Sequence, residues 1–120
     1  MYIRCDTLCR SLAGNAVPLI TVTGSIDQLH QRDTVVLMAR VHPGETNASW
    51  IVHGIRSLFV VAYRMDKSIS GIIQFLTSAR REAQELRRRF VFKLIPMMNP
   101  DGVINGCNRF SLAVVDLNRV

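Results

Sequence analysis

The sequence predicts an α/β fold, a partial mixed or parallel sheet with a crossover helix, and three stretches carry that prediction. Residues 34–41 are β-branched and nearly all apolar, 73–89 are apolar on one side of a helix and polar on the other, and 90–97 return to an apolar run. Strand, helix and strand at this spacing form a βαβ unit, whose right-handed crossover makes the two strands parallel. The chain has 120 residues, enough for one domain, here residues 1–120. Hydrophobic residues make up 48% and charged ones 20%, with only 7 Gly and 4 Pro, which excludes a disordered chain and a collagen-like one.

The first strand candidate is Pro18-Leu19-Ile20-Thr21-Val22-Thr23. Residues 34–41 follow and read as a strand buried on both faces, because no polar residue alternates with the apolar ones. His42-Pro43-Gly44-Glu45 stops that strand in a turn, after which Thr46 or Asn47 can cap a helix starting near Ser49. Gly54-Ile55 recurs as Gly71-Ile72, and removing residues 56–72 joins Ile51, Ile55, Ile73 and Leu76 on one helical face. Residues 56–72 therefore read as an insertion, the alternative being a second helical turn or a surface loop in one long crossover. The helix at 73–89 carries Arg80, Arg81, Arg87, Arg88 and Arg89, read as a solvated face on which Glu85 and Arg89 stand four apart. Residues 90–97 form the next strand, closed by the turn Asn99-Pro100-Asp101-Gly102. Both polar turns lie at carboxyl ends of strands, where open α/β sheets bind their ligands.

No apolar run reaches the roughly 20 residues of a membrane span, and charges at Arg4 and Asp6 interrupt any secretory signal, so no membrane partner is expected. Cys5, Cys9 and Cys107 form neither a Cys-x-x-Cys pair nor a disulfide framework, which fits a reducing, cytoplasmic location. Cys5 and Cys9 are spaced to share a helix face. The net charge of +6 favours acidic partners, yet there is no aromatic RNA-binding pattern, zinc-finger spacing or helix-turn-helix, so nucleic acid is not an expected partner.

Two clusters bear on chemistry. His42 and Glu45 stand three apart on a tight turn, and imidazole nitrogen and carboxylate oxygen are both zinc donors. That spacing alone also describes a solvated turn; His30 in a polar loop and His53 on the helix read as surface or packing residues. The second cluster runs from Asn99-Pro100-Asp101-Gly102 through Arg109 to Asp116-Leu117-Asn118-Arg119. Arginine's planar fork suits a carboxylate, and a neighbouring Asn can add donors to the same anion.

Taken together, Ala39-Arg40-Val41-His42-Pro43-Gly44-Glu45-Thr46-Asn47-Ala48-Ser49-Trp50, the run from Phe90 to Asn99-Pro100-Asp101-Gly102-Val103, and the flanking Leu8-Cys9-Arg10-Ser11-Leu12-Ala13-Gly14-Asn15 and Asp116-Leu117-Asn118-Arg119 resemble the cytosolic carboxypeptidases. These are the tubulin-deglutamylating branch of the M14 zinc metallocarboxypeptidases. The resemblance implies the N-terminal part of a zinc carboxypeptidase catalytic domain, with His42 and Glu45 as the first two Zn2+ ligands. It implies that Arg109 polarises the scissile carbonyl and stabilises its oxyanion, that Asn118 and Arg119 grip the substrate's terminal carboxylate, and that a zinc-activated water is the nucleophile. The implied substrates are C-terminal or side-chain glutamates of acidic protein tails such as tubulin; the alternative is a catalytically inactive relative that binds such tails. The family's third zinc ligand, a histidine, and its catalytic glutamate fall beyond Val120, so residues 1–120 by themselves are not expected to hydrolyse peptides. The family's Gly-Asn-x-Arg-Cys-Ser-Leu-x-Gly loop appears with Cys107, Phe110 and Val114 in place of Asn, Cys and the last Gly. If that Gly serves a turn with positive φ, a β-branched Val at 114 is strained.

Overall fold

The computed structural model describes residues 1–27, 29–45 and 67–119. Its elements are β1 (Tyr2–Arg10), β2 (Ala16–Thr23), a 3-10 turn (Leu29–Gln31), β3 (Asp33–Met38), α1 (Lys67–Thr77), α2 (Arg81–Arg89), β4 (Phe90–Ile95) and α3 (Pro100–Ile104). The four strands form one sheet in the order β1-β2-β4-β3. β3 and β4 are parallel, as a crossover connection requires, while β1/β2 and β2/β4 are antiparallel, so the sheet is mixed.

Because side chains alternate along a strand, the register aligns Ile3, Val22, Phe92 and Val35 in one row and Ile20, Leu94 and Leu37 in the next. Leu76 of α1 closes over this face, with Ile73, Phe75 and Leu86 packed around it. Leu94 and Val22 have no exposed surface, and burying each such side chain contributes roughly 1.5–3 kcal/mol. This packed face fixes the carboxyl ends of β3 and β4 side by side, which is where both polar turns begin.

Several sequence expectations change. The strand read at 34–41 ends at Met38, and it is not buried on both faces: Val36 and Met38 are more than half exposed. β3 is an edge strand of the sheet, and on the face those two present burial is confined to the neighbouring β4, where Val91 and Ile95 are buried. The helix expected over 73–89 is two helices, since Arg80 adopts an extended conformation between α1 and α2. Arg87 is not on a solvated face but buried, its guanidinium donating to the Leu76 and Ser78 carbonyls that α1 leaves unpaired at its end. Arg88 and Arg89 do pair with Glu85, whose pKa they hold down to about 2. Cys5 and Cys9 lie on β1, a strand, where a bulge between Thr7 and Cys9 interrupts the register, and do not share a helix face. The N-terminal strand Tyr2–Arg10 has the mixed polarity of an exposed edge and gives little periodic signal in the sequence.

The proposed insertion at 56–72 is described only from residue 67, where it supplies the first part of α1. Its remainder, His53 and the helix expected from Ser49 lie outside the described residues. Asn99-Pro100-Asp101-Gly102, read as a turn, opens the short helix α3, with Asn99 as its N-cap and Pro100 in the first turn. Proline loses nothing there because its missing N–H has no helical partner.

Candidate metal centre

The chain leaves β3 through Arg40, whose φ of +55° is rare outside glycine and turns the backbone sharply away from the sheet. His42-Pro43-Gly44-Glu45 then form a tight turn, closed by a bond from the Glu45 amide to the His42 carbonyl at 3.2 Å. The segment after α3 presses against this turn: the Gly44 amide donates to the Asn108 carbonyl at 2.7 Å. A β-carbon at Gly44 would stand 2.7 Å from that same oxygen and closer still to the Asn108 side chain, so only glycine fits.

His42 is buried and uses both ring nitrogens. Nδ1 lies 2.7 Å from Glu45 Oε1, and Nε2 lies 2.8 Å from Asp116 Oδ1. Asp116 continues the network, its Oδ2 accepting from Arg109 Nε at 2.7 Å. The Glu45 hydrogen bond first, then that of Asp116, raises the His42 pKa above its ordinary value. Asp116 is held down to about 2, chiefly by His42 and further by the Asn118 amide and Arg109. Glu45 is the most open member, with 58% of its side chain exposed, so the Glu45 side of the network is the open one. The Asp116 side is closed, with 12% of that side chain exposed.

His42, Glu45 and Arg109 are thus brought together, and the residue that joins them is Asp116. Asp116 was legible only as part of a motif, without a role: it is 74 positions from His42, and sequence spacing does not reveal such a pairing. The remaining signal is an acidic residue directly ahead of an Asn-Arg pair. Asn118 and Arg119 are exposed on the turn that follows Asp116, and the bonds they make to it come from their backbone amides, Asn118 to Oδ1 and Arg119 to the carbonyl, each at 3.0 Å. Asn99, which opens the second polar turn, spends its side-chain N–H groups on main-chain carbonyls. No cluster of three or more His, Cys, Asp or Glu side chains arranged to hold a metal occurs among the described residues. Val114 has a φ of +60°, so the position where the family carries glycine does lie in the left-handed region.

Residues 2–119 match the family described as zinc carboxypeptidase. The chain belongs to that family. It is 42% identical to cytosolic carboxypeptidase 1 of Gallus gallus over 99% of its own length, 42% identical to cytosolic carboxypeptidase 4 of Homo sapiens over 99%, and 46% identical to cytosolic carboxypeptidase 2 of Danio rerio over 98%. It spans 9%, 10% and 14% of those relatives, respectively. Among solved structures, a metallo-carboxypeptidase from Burkholderia cenocepacia superposes with a TM-score of 0.74 at 26% identity, over 98% of this chain and 27% of that one. A metallo-carboxypeptidase from Pseudomonas aeruginosa, in complex with (2-guanidinoethylmercapto)succinic acid, gives 0.70 at 28%, over 96% and 26%. The mixed sheet with its crossover is therefore part of the carboxypeptidase fold. No helix among the described residues is long and apolar enough to cross a membrane.

Proposed function

We propose that this chain supplies the first part of the active site of a cytoplasmic zinc carboxypeptidase that removes glutamates from the ends or side chains of acidic protein tails, tubulin among them. The observation that carries the reading is the His42 network. Zinc takes one imidazole nitrogen and carboxylate oxygen on a common centre, and Nδ1 of His42 and Oε1 of Glu45 converge from one turn on its open side. Asp116 on the opposite nitrogen is the outer partner expected of a ligating histidine, fixing the ring's orientation and leaving Nδ1 for the metal. The donor set thus fits zinc, with His42 and Glu45 as its ligands in this chain. When bound, the metal supplies Lewis acidity, which makes a water more acidic and a carbonyl more electrophilic.

The chain's own residues have separable tasks. Arg109 is held by Asp116 beside the histidine, where its charge can stabilise negative charge growing on the carbonyl oxygen. Asn118 and Arg119 carry exposed side chains on the adjoining turn, suited to gripping a terminal carboxylate by a forked contact. The net charge of +6 favours acidic tails over neutral ones, most strongly at low salt. Kinship with proteins named as cytosolic carboxypeptidases supports hydrolysis over mere binding of tails, and supports a cytoplasmic site.

The test is release of glutamate by the intact protein from peptides ending in several glutamates, with and without a zinc chelator. Release is expected to stop on chelation and in His42→Ala, and to vanish for the same peptide with an amidated C-terminus. Equal release from peptides ending in lysine or alanine would remove glutamate specificity while leaving the carboxypeptidase reading intact.

A further inference from the structure

Arg109 and the His42 turn come from segments joined by more than sixty intervening residues, and something must hold them in register. Their main chains touch through the Gly44 amide and the Asn108 carbonyl. A single side chain bonds to both. Asn99, only 3% exposed, donates through Nδ2 to the Val41 carbonyl at 3.4 Å and to the Phe110 carbonyl at 3.3 Å. Val41 immediately precedes His42, and Phe110 immediately follows Arg109. The Asn99 amide donates to the Arg40 carbonyl at 3.1 Å, and Asn99 Oδ1 accepts from the Gly102 amide at 2.9 Å, capping α3.

We infer that Asn99 is the positioning residue that sets the metal-binding turn against the arginine loop, a role resting on the zinc reading above. Each of the two side-chain bonds is long and weak by itself. Together they are shielded in part from water, and removing the donor takes a partner from two main-chain carbonyls, one on either side of the site. They add to the main-chain bonds that hold the turn, whose first residue, Arg40, sits in a left-handed conformation that costs an L-residue free energy. A proline-preceding Asn at an N-cap needs only its Oδ1 for the helix; here the amide nitrogen is the part facing the site. Serine therefore separates the two tasks, since its hydroxyl caps a helix but does not reach two carbonyls.

The experiment measures zinc affinity of the intact protein by competition with a chromophoric chelator, together with kcat and KM on a glutamate-ended peptide. Wild type, His42→Ala, Asn99→Ser, Asn99→Asp and Ser11→Ala are compared, the last loosening a turn that bonds to Asp101 and not to His42, Glu45 or Asn99. Asn99→Ser is expected to weaken zinc by about 10-fold and to lower kcat with KM unchanged, because Asn118 and Arg119 still hold the substrate. Asn99→Asp, which turns an oxygen toward two carbonyls, is expected to lose more. Ser11→Ala is expected to bind zinc as wild type does. If wild type binds zinc no better than His42→Ala, the zinc reading fails and takes this role with it. If wild type binds and Asn99→Ser matches it in affinity and kcat, the positioning role alone fails. A rise in KM at constant kcat, or loss of the cooperative unfolding transition in Asn99→Ser, also overturns it, the latter by making Asn99 a determinant of the fold.

Discussion

Two turns, one before and one after α3 in the chain, begin with the same three residues: Ser11-Leu12-Ala13-Gly14-Asn15 links β1 to β2, and Ser111-Leu112-Ala113-Val114-Val115 leads into Asp116. They share one hydrogen-bond pattern. In the first, Ser11 N donates to Asn15 O at 2.8 Å, Gly14 N to Ser11 O at 2.9 Å and Asn15 N to Ser11 Oγ at 3.0 Å. In the second, Ser111 N donates to Val115 O at 2.9 Å, Val114 N to Ser111 O at 3.0 Å and Val115 N to Ser111 Oγ at 3.3 Å. The serine that opens each turn supplies the hydroxyl acceptor, and the fourth residue must take positive φ, +81° at Gly14 and +60° at Val114. They differ in what surrounds them. The first is docked on the buried carboxylate of Asp101, which accepts from Ser11 Oγ at 2.5 Å, Asn15 Nδ2 at 2.8 Å and the Ala13 amide at 3.0 Å. The second carries Leu112, Val114 and Val115 exposed, and puts a β-branched residue where glycine is at ease. Local bonding thus specifies the turn, while strain and anchoring are set separately, and the strained copy is the one beside His42, Arg109 and Asp116.

The largest effect should come from removing the anchor of the first turn. Asn15 and Ser11, ahead of the Ala13 amide, hold the Asp101 carboxyl below its usual range. A depressed carboxylate contributes stability that is complete above its unfolded pKa, about 3.9, and is lost as pH falls through the lower folded value. Asp101→Asn, which offers one oxygen in place of two, is expected to lower the urea midpoint of the intact protein clearly at pH 7. The gap from wild type should close below about pH 4, because only wild type has this stability to lose. Glu85 and Asp116, also held low, titrate in both proteins and cancel in the difference. A gap that stays constant down to acid pH would show that the carboxylate's charge does not anchor the turn.

Next in size is Gly14→Val, which gives the first turn the fourth residue of the second. Nothing among the described residues lies within 4 Å of a β-carbon built on Gly14, so the change chiefly reports the cost of the backbone angle. That cost is roughly 1–2 kcal/mol for an L-residue in the left-handed region. The expected result is a loss of that order in denaturant unfolding with the m-value unchanged. A loss of several times that amount would mean the Asp101 anchor breaks along with the turn, and that the two turns are less alike than their bonds suggest.

The contrast also separates what was legible in the sequence from what was not. β4 and the parallel pairing of β3 with it were readable because their apolar runs are long and the crossover fixes strand direction. β1 was not, since an edge strand carrying Arg4, Asp6 and Arg10 has no clean alternation, and its pairing with β2 depends on a turn held by a carboxylate 86 to 90 positions away. The break between α1 and α2 was hidden for a related reason: Arg87 looks like one more surface arginine until its guanidinium is seen capping the previous helix. At the site, His42, Glu45 and Arg109 were legible as residue types that suit zinc and anion chemistry, and as a match to known motifs. Asp116 and the amide of Asn99 act through contacts between distant segments, which no local spacing encodes. Val114 lay between these cases, because the expectation of strain came from a missing glycine and the structure supplied the positive φ.

The smallest effect, of opposite sign, is expected from Val114→Gly, which gives the second turn the fourth residue of the first. Relieving a left-handed β-branched residue gains roughly 1–2 kcal/mol, and the added chain freedom of glycine when unfolded takes back about 0.5–1 kcal/mol. The net should be a gain of at most about 1 kcal/mol in unfolding free energy. Zinc affinity should not change, since the bonds that shape this turn run through Ser111 and the backbone, and Asp116 is held by His42, Arg109 and the Asn118 amide. A gain in stability accompanied by weaker zinc binding would mean that the strain at Val114 helps press Asp116 onto His42. A loss of stability would instead show that Val114 makes apolar contacts in the intact protein that outweigh its backbone strain, and the likeness between the two turns would then stop at their hydrogen bonds.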